Sequence, residues 1–271
     1  MTESNQPKSS LQLSVLDFQY QMDVSGFVLF EQLVPEEMLE KIRIDIPSRE
    51  KFCLKWQKKN GLDIGMEGAA HHVVGGGDSL EWFLYEFYLD TYINAYFDGE
   101  YILNSYGALN NLPYSNHTYQ HAQRFHRDVR TYSKNFHLMI NMLVMVDNFT
   151  IENGATKVVP GTHRVQQRPN EAFLESNAVQ ITGKAGSVLL FDSNIWHCAA
   201  QNITQMPRMA LTLTFTRPFF KQQMDYSRVL GEYYPKNEKM RQLLGYNSRV
   251  PNGYDEWYQP PEKRMYKPGQ G

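Results

Sequence analysis

The chain of 271 residues has only two cysteines, Cys53 and Cys198. Two are too few for the disulfide framework that staples small secreted domains, and they point to a reducing, cytoplasmic setting. No apolar run is long enough to span a bilayer. The first ten residues are polar and lack the apolar stretch of a signal peptide. Neither sign of charge is in excess: 27 Lys and Arg stand against 29 Asp and Glu, a net charge of −2. The pI is about 6.5. Nucleic acid and membrane are therefore not expected partners, and no basic cluster marks a site for a coenzyme-A thioester. Internal repeats and long low-complexity tracts are missing too.

What is present is ordinary globular material. Hydrophobic residues make up 42% of the chain and charged residues 21%, enough for one large core. Residues 1–10 read as a disordered lead-in, and 11–271 as a single domain. Leu16 to Val24 reads as a short helix ending at Gly26, followed by a strand, Phe27 to Phe30. A helix then opens at Pro35-Glu36-Glu37, where proline and acids suit the first turn, and is limited by Pro47. The glycine-rich stretch Gly61 to Gly77 reads as a mobile loop. Leu80, Phe83, Leu84 and Phe87 recur at helical spacing, so Leu80 to Phe97 reads as one amphipathic helix.

From Tyr101 the period changes. Short β-rich runs follow at Tyr101–Leu109, His137–Val146, Thr156–Val159, Val179–Thr182, Ser187–Phe191 and Met209–Thr216, separated by turn residues. Without long helices between them, these runs predict a mainly β fold, an antiparallel barrel or jelly roll, with flanking N-terminal and C-terminal helices. Tyr226–Gly245 reads as helical. Pro251–Gly271 reads as an irregular tail.

Within the β region stands the step His126-Arg127-Asp128. In a strand, residues i and i+2 share a face, so both side chains can reach one metal ion. A third ligand must come from elsewhere, and His137, His163 and His197 are the candidates. His163 lies in a turn, Pro160-Gly161-Thr162-His163, where a role supporting the fold is the better reading. His137 begins a strand only nine residues past Asp128. His197 sits among apolar neighbours, where an unpaired imidazole is costly. The run Arg208 to Thr216 alternates cleanly. Met209, Leu211, Leu213 and Phe215 form one face, while Arg208, Ala210, Thr212, Thr214 and Thr216 form the other. A barrel interior that holds a charged ligand has this second composition, and an arginine grips a carboxylate with two parallel hydrogen bonds. A solvent-facing Thr-rich face is the alternative.

In this order and spacing the pieces resemble the phytanoyl-CoA dioxygenase (PhyH-like) family of Fe(II)/2-oxoglutarate-dependent oxygenases. They run from about Phe18 to Arg217: Gly26 to Phe30 with Val34-Pro35-Glu36-Glu37, then His126-Arg127-Asp128. Glu152-Asn153-Gly154-Ala155-Thr156 with Val159 to His163 follows, then Gly186 to Asp192, His197, Asn202 and Arg208. The resemblance implies a double-stranded β-helix (jelly-roll, cupin-like) fold. It implies Fe(II) held by His126, Asp128 and His197, with Arg208, eleven residues after His197, on the distal carboxylate of 2-oxoglutarate. Gln123, Thr156 and Asn141 are further candidates for cosubstrate contact or for lining the cavity. Ala199 departs from the serine that some members carry two residues after the distal histidine. Asp128 is intact, which argues against halogenation. Cys198 reads as a small buried residue.

The activity implied uses Fe(II), 2-oxoglutarate and O2 to hydroxylate an unactivated C–H of a small metabolite or biosynthetic intermediate, releasing succinate and CO2. Desaturation or oxidative rearrangement by the same chemistry, or a non-catalytic cupin-like binding module, are the alternatives. The loops Gly61–Gly77 and Pro113–Gln120 and the C-terminal segment are expected to cover the cavity mouth. His71 and His72, in the first of these, read as solvated loop residues ahead of substrate contacts. The motifs leave oligomeric state open.

Overall fold

In a computed structural model, the residues described are 13–62, 64, 66–114, 122–235, 237–264 and 270. The elements run α1 (Val15–Ser25), β1 (Phe27–Phe30), α2 (Glu36–Lys59), β2 (Ala69–His71), α3 (Ser79–Tyr85), α4 (Asp90–Phe97) and β3 (Ile102–Asn111). Then come β4 (Met139–Met145), β5 (Thr156–Val158), α5 (Glu171–Asn177), β6 (Val179–Gln180), β7 (Val188–Asp192), β8 (His197–Ala199) and β9 (Arg208–Thr216). Three short helices follow: α6 (Tyr226–Leu230), α7 (Glu238–Leu243) and α8 (Tyr254–Trp257). The expected lead-in, residues 1–10, lies outside the described residues, as does most of 113–120.

The strands form two antiparallel sheets. The larger has the order β1-β7-β4-β9-β3-β2, the smaller β6-β5-β8. This is the expected jelly roll. Strand β9 sits between β3 and β4, and its two faces divide as its alternation predicts. Leu211, Leu213 and Phe215 pack outward with α1 to α4 and α7 into the main core. Ala210 packs inward with Leu143, Met145, Phe149, Leu189 and Phe191, between the sheets.

Four expectations are corrected. Helix α2 does not stop at Pro47 but runs to Lys59. Pro47 lies on the exposed side, where water can take the Arg43 carbonyl it leaves unbonded. The second half is held from outside. Arg49 Nε donates to Asp78 (2.5 Å), Asn110 to Glu50 (2.5 Å), and Gln57 to the Ala69 carbonyl (3.1 Å). The supposed loop Gly61–Gly77 contains β2, an edge strand in register with β3. The single helix Leu80–Phe97 is two, parted by positive φ at Phe87 (47°) and Leu89 (63°). Continuing the stripe of Leu80, Phe83, Leu84 and Phe87 unbroken would point Thr91 inward. The break re-phases the chain so that Leu89, Ile93, Tyr96 and Phe97 are buried instead. The C-terminal helix likewise divides into α6 and α7 around Gly231, whose φ is 84°, and Pro235.

Candidate metal centre and adjoining cavity

His126 and His197 face each other across an antiparallel bridge. The His126 amide donates to the His197 carbonyl (3.0 Å) and the His197 amide to the His126 carbonyl (3.1 Å). Two backbone hydrogen bonds thus fix the pair, whose ring centroids are 4.3 Å apart. Asp128, two residues on, is anchored by its amide on the Ser193 carbonyl (3.1 Å). Its Oδ1 lies 3.5 Å from His126 Nε2 and its Oδ2 3.6 Å from His197 Nε2. One donor atom from each residue falls within 4.8 Å of the other two. Among the described residues this is the sole such group of histidine, cysteine and acid side chains.

The tautomers follow from the neighbours. His126 Nδ1 lies 2.8 Å from the Arg124 carbonyl, and His197 Nδ1 lies 3.1 Å from the Ile195 carbonyl. A carbonyl only accepts, so each Nδ1 carries a proton, and in the neutral form of each ring the lone pair sits on Nε2 and turns toward the shared space. This is the polarity a metal-binding imidazole needs. Burial lowers the pKa of His197 against the opposing pull of Asp128. The Asp128 carboxyl stays below its ordinary value: burial works against the charge, but His197, His126 and the Asn141 amide outweigh it. For His126 burial favours the neutral ring, yet the neighbouring Asp128 carboxylate favours the charged one and raises the pKa.

Arg208 opens β9 and is buried. Its Nε and Nη2 donate to the carbonyls of Asn153 and Gly154, both at 3.3 Å. Its guanidinium lies over the Phe149 ring at 3.8 Å. Burial lowers its pKa to about 10, so it remains a cation at neutral pH. Its Nη1 is buried without a partner. A buried cationic N–H in that state is a strong call for an anion. Arg208 lines a cavity of about 100 Å³ together with Gln123, Thr156, Leu143, Ala199 and Asn111. Gln123, Thr156 and Arg208 are thus brought to one cavity. Asn141 is placed elsewhere: its Nδ2 donates to Asp128 Oδ2 at 2.8 Å, and its Oδ1 is buried without a partner.

The other histidines serve different ends. His137 Nδ1 pairs with the Tyr96 carbonyl at 2.6 Å, and its ring stacks on Tyr96. His163 Nε2 pairs with the Asp23 carbonyl at 3.1 Å, joining its turn to the end of α1. His72 Nδ1 meets the Tyr226 hydroxyl at 3.1 Å, and His71 lies in β2. His72 is thus not the free loop residue expected, and His71, though exposed, stands in a strand rather than a loop. Burial pushes the Cys198 thiol up to about 12, in keeping with an inert buried residue.

Two contributors carry no signal in the sequence. Phe149, under Arg208, is one. The other is Arg127, whose side chain points away from those of His126 and Asp128. It donates to the carbonyls of Thr162 (2.7 Å), Val165 (2.5 Å) and Gln166 (3.2 Å) and lies over the Trp196 ring at 4.9 Å. One guanidinium thereby ties the His126 strand to the 162–166 turn and to the residue before His197.

Residues 103–210 match the model of the phytanoyl-CoA dioxygenase (PhyH) family. The matched stretch holds His126, Asp128, His197 and Arg208. An uncharacterized protein of Mycobacterium tuberculosis is 44% identical over 149 residues, 54% of this chain and 55% of that protein. The ectoine dioxygenase of Nocardia farcinica is 34% identical over 99 residues, 27% of this chain and 33% of that one. The chain thus matches about half, or less, of the length of these relatives. In three dimensions it is similar to EctD from S. alaskensis in its apo form. That match has a TM-score of 0.62 and 18% identity, and covers 85% of this chain and 84% of that one. It is also similar to the epimerase SnoN in complex with Fe3+, alpha ketoglutarate and nogalamycin RO. There the TM-score is 0.59 and the identity 12%, covering 74% of this chain and 83% of that one. At these identities the structural likenesses show the jelly-roll fold. No helix among the described residues is long and apolar enough to cross a membrane.

Proposed function

We propose that the protein is an Fe(II)- and 2-oxoglutarate-dependent oxygenase acting on a small molecule, with His126, Asp128 and His197 as the iron ligands. The observation that carries this reading is the convergence of two Nε2 lone pairs and one ionised carboxylate within 4.8 Å. Two imidazoles and a carboxylate on one face leave the opposite coordination positions open, the donor set of non-haem iron oxygenases. When bound, iron(II) with 2-oxoglutarate and O2 supplies the oxidising power to hydroxylate a C–H bond, releasing succinate and CO2.

The chain's own groups position and shield. Arg208 offers its unpaired Nη1 to the distal carboxylate of the cosubstrate, while Gln123 and Thr156 line the same cavity. Asn141 holds the Asp128 carboxylate in place. Low polarity around Phe149, Leu143 and Ala210 strengthens the charge pairing at Arg208. Anaerobic protein given Fe(II) and then 2-oxoglutarate is expected to develop the weak visible charge-transfer band of a chelated 2-oxo acid. Arg208→Ala should raise the 2-oxoglutarate concentration for half-saturation of that band at least about 30-fold, since a charged hydrogen-bond pair contributes roughly 2 kcal/mol or more. If the wild type develops no band, or if Arg208→Ala titrates like the wild type, the reading fails.

A further inference from the structure

The strand register lays out the barrel floor in rows. His71, Gly107, Thr212 and Leu143 are aligned across β2, β3, β9 and β4, and Ser105, Thr214 and Asn141 form the next row. Rows two residues apart share a face. Asn141, bonded to Asp128, identifies that face as the one turned toward the metal ligands. Past Asn141 and Leu143, the floor carries a strip of polar groups with no role so far, His71, Thr212, Ser105 and Thr214, around Gly107.

We propose that this strip is the substrate slot, and that it takes an uncharged molecule bearing hydroxyl or carbonyl groups. The inference rests on the oxygenase reading. Gly107 is the low point of the strip: a Cβ there would lie 2.9 Å from the Ala70 carbonyl, 3.4 Å from Thr212 Oγ1 and 3.6 Å from His71 Nδ1, so polar atoms from three residues converge over a position that has no side chain. The hydrogen-bonding capacity is open. The His71 imidazole has no hydrogen-bond partner among the described residues, and Thr212 Oγ1 has only a long contact to the Gly107 carbonyl at 3.5 Å. Ser105 and Thr214 share one hydrogen bond of 2.7 Å, which leaves acceptor lone pairs on both and one proton to offer. His71 is on the exposed edge strand, at the mouth, and burial of its ring favours the neutral form.

Charge decides the class. A carboxylate or phosphate taken out of water needs a cation or several donors. The two rows contain no lysine or arginine. Arg208 lies four residues from Thr212 along β9, about 13 Å at 3.3 Å per residue, and faces the cosubstrate cavity. The slot instead mixes donors and acceptors on a neutral floor. Three strand spacings separate Asn141 from His71, about 14 Å. A ligand that reaches the mouth is therefore an extended molecule rather than a second short acid.

The test uses two alkylating probes of one size, neutral iodoacetamide and anionic iodoacetate. They are applied to full-length Thr212→Cys protein loaded with Fe(II) and 2-oxoglutarate under anaerobic conditions. Ser48→Cys, on the exposed side of α2, serves as reference, and the parent protein corrects for Cys53 and Cys198. The iodoacetamide-to-iodoacetate rate ratio at position 212 is expected to be at least tenfold above that at position 48. An equal or smaller ratio, or no labelling at position 212 by either reagent, overturns the proposal. The visible 2-oxoglutarate band, recorded in the same samples, reports separately on the iron reading: its absence sinks that reading, while the alkylation ratio still reports on the slot.

Discussion

Replacing Arg127 with methionine keeps most of the side chain's length and removes its charge and all of its donors. In the wild type that guanidinium serves three backbone carbonyls, Thr162, Val165 and Gln166, and lies on Trp196. A hydrogen bond with a charged partner contributes roughly 1.5–3 kcal/mol, and a partly desolvated cation–π contact about 1 kcal/mol. Three bonds from one group are not additive. The Val165 side of the turn is near solvent, where water can recover part of the loss. A net cost of about 3 kcal/mol results. For a domain of this size, roughly 2–4 °C of Tm is lost per kcal/mol, so thermal unfolding followed by circular dichroism should shift down by about 6–12 °C. Arg127→Lys should recover less than half of this, because one ammonium cannot serve three carbonyls arranged around a planar fork. A methionine variant melting within about 1 °C of wild type would show that the 162–166 turn holds itself and that Arg127 is incidental.

Asn141→Leu removes the donor that orients Asp128 and should weaken divalent-metal affinity about 10- to 100-fold, measured by competition with a chromogenic chelator; unchanged affinity would mean the carboxylate orients itself. Gly26→Ala meets both a φ of +81° and a Cβ placed 2.4 Å from His163 Nδ1, so about 2–4 kcal/mol of stability should be lost; a denaturant midpoint equal to wild type contradicts that geometry. Burial raises the pKa of Glu50, against the Asn110 hydrogen bond that lowers it. The folded state therefore prefers the protonated acid, and Glu50 costs stability as pH rises through its folded value. Glu50→Gln should accordingly stabilise at pH 7 and be close to neutral at pH 4, in urea unfolding at the two pH values; equal effects at both would refute the linkage.

The parts legible in the sequence are those whose information is local. Strand β9 announces itself because one face is buried against helices and the other faces a polar interior. Strand β4 is buried on both sides over its whole length, so no alternation marks its faces, and Asn141 reads only as a cavity residue, not as the partner of Asp128. His126 and Asp128 follow from parity alone. His197 needs a three-residue strand, β8, paired by a bridge to a residue far away in sequence, and no period reveals that. Helix α2 outlasts Pro47 because Asp78, Asn110 and Ala69 arrive from other elements to hold it. The break between α3 and α4 is likewise tertiary: two apolar stripes out of phase must both reach one core. Arg127 is invisible for the same reason, since its meaning depends on where residues 162–166 return.

The pair of main-chain bonds between residues 126 and 197 makes the scaffold indifferent to its cargo. Because peptide groups rather than a coordinated ion clamp these two strands, stripping the protein with a chelator should leave the amide protons of both residues among the slowly exchanging ones. On the proposed reading, loading with iron is then a local event in which only the carboxylate arm must settle, and the chelated protein stays folded.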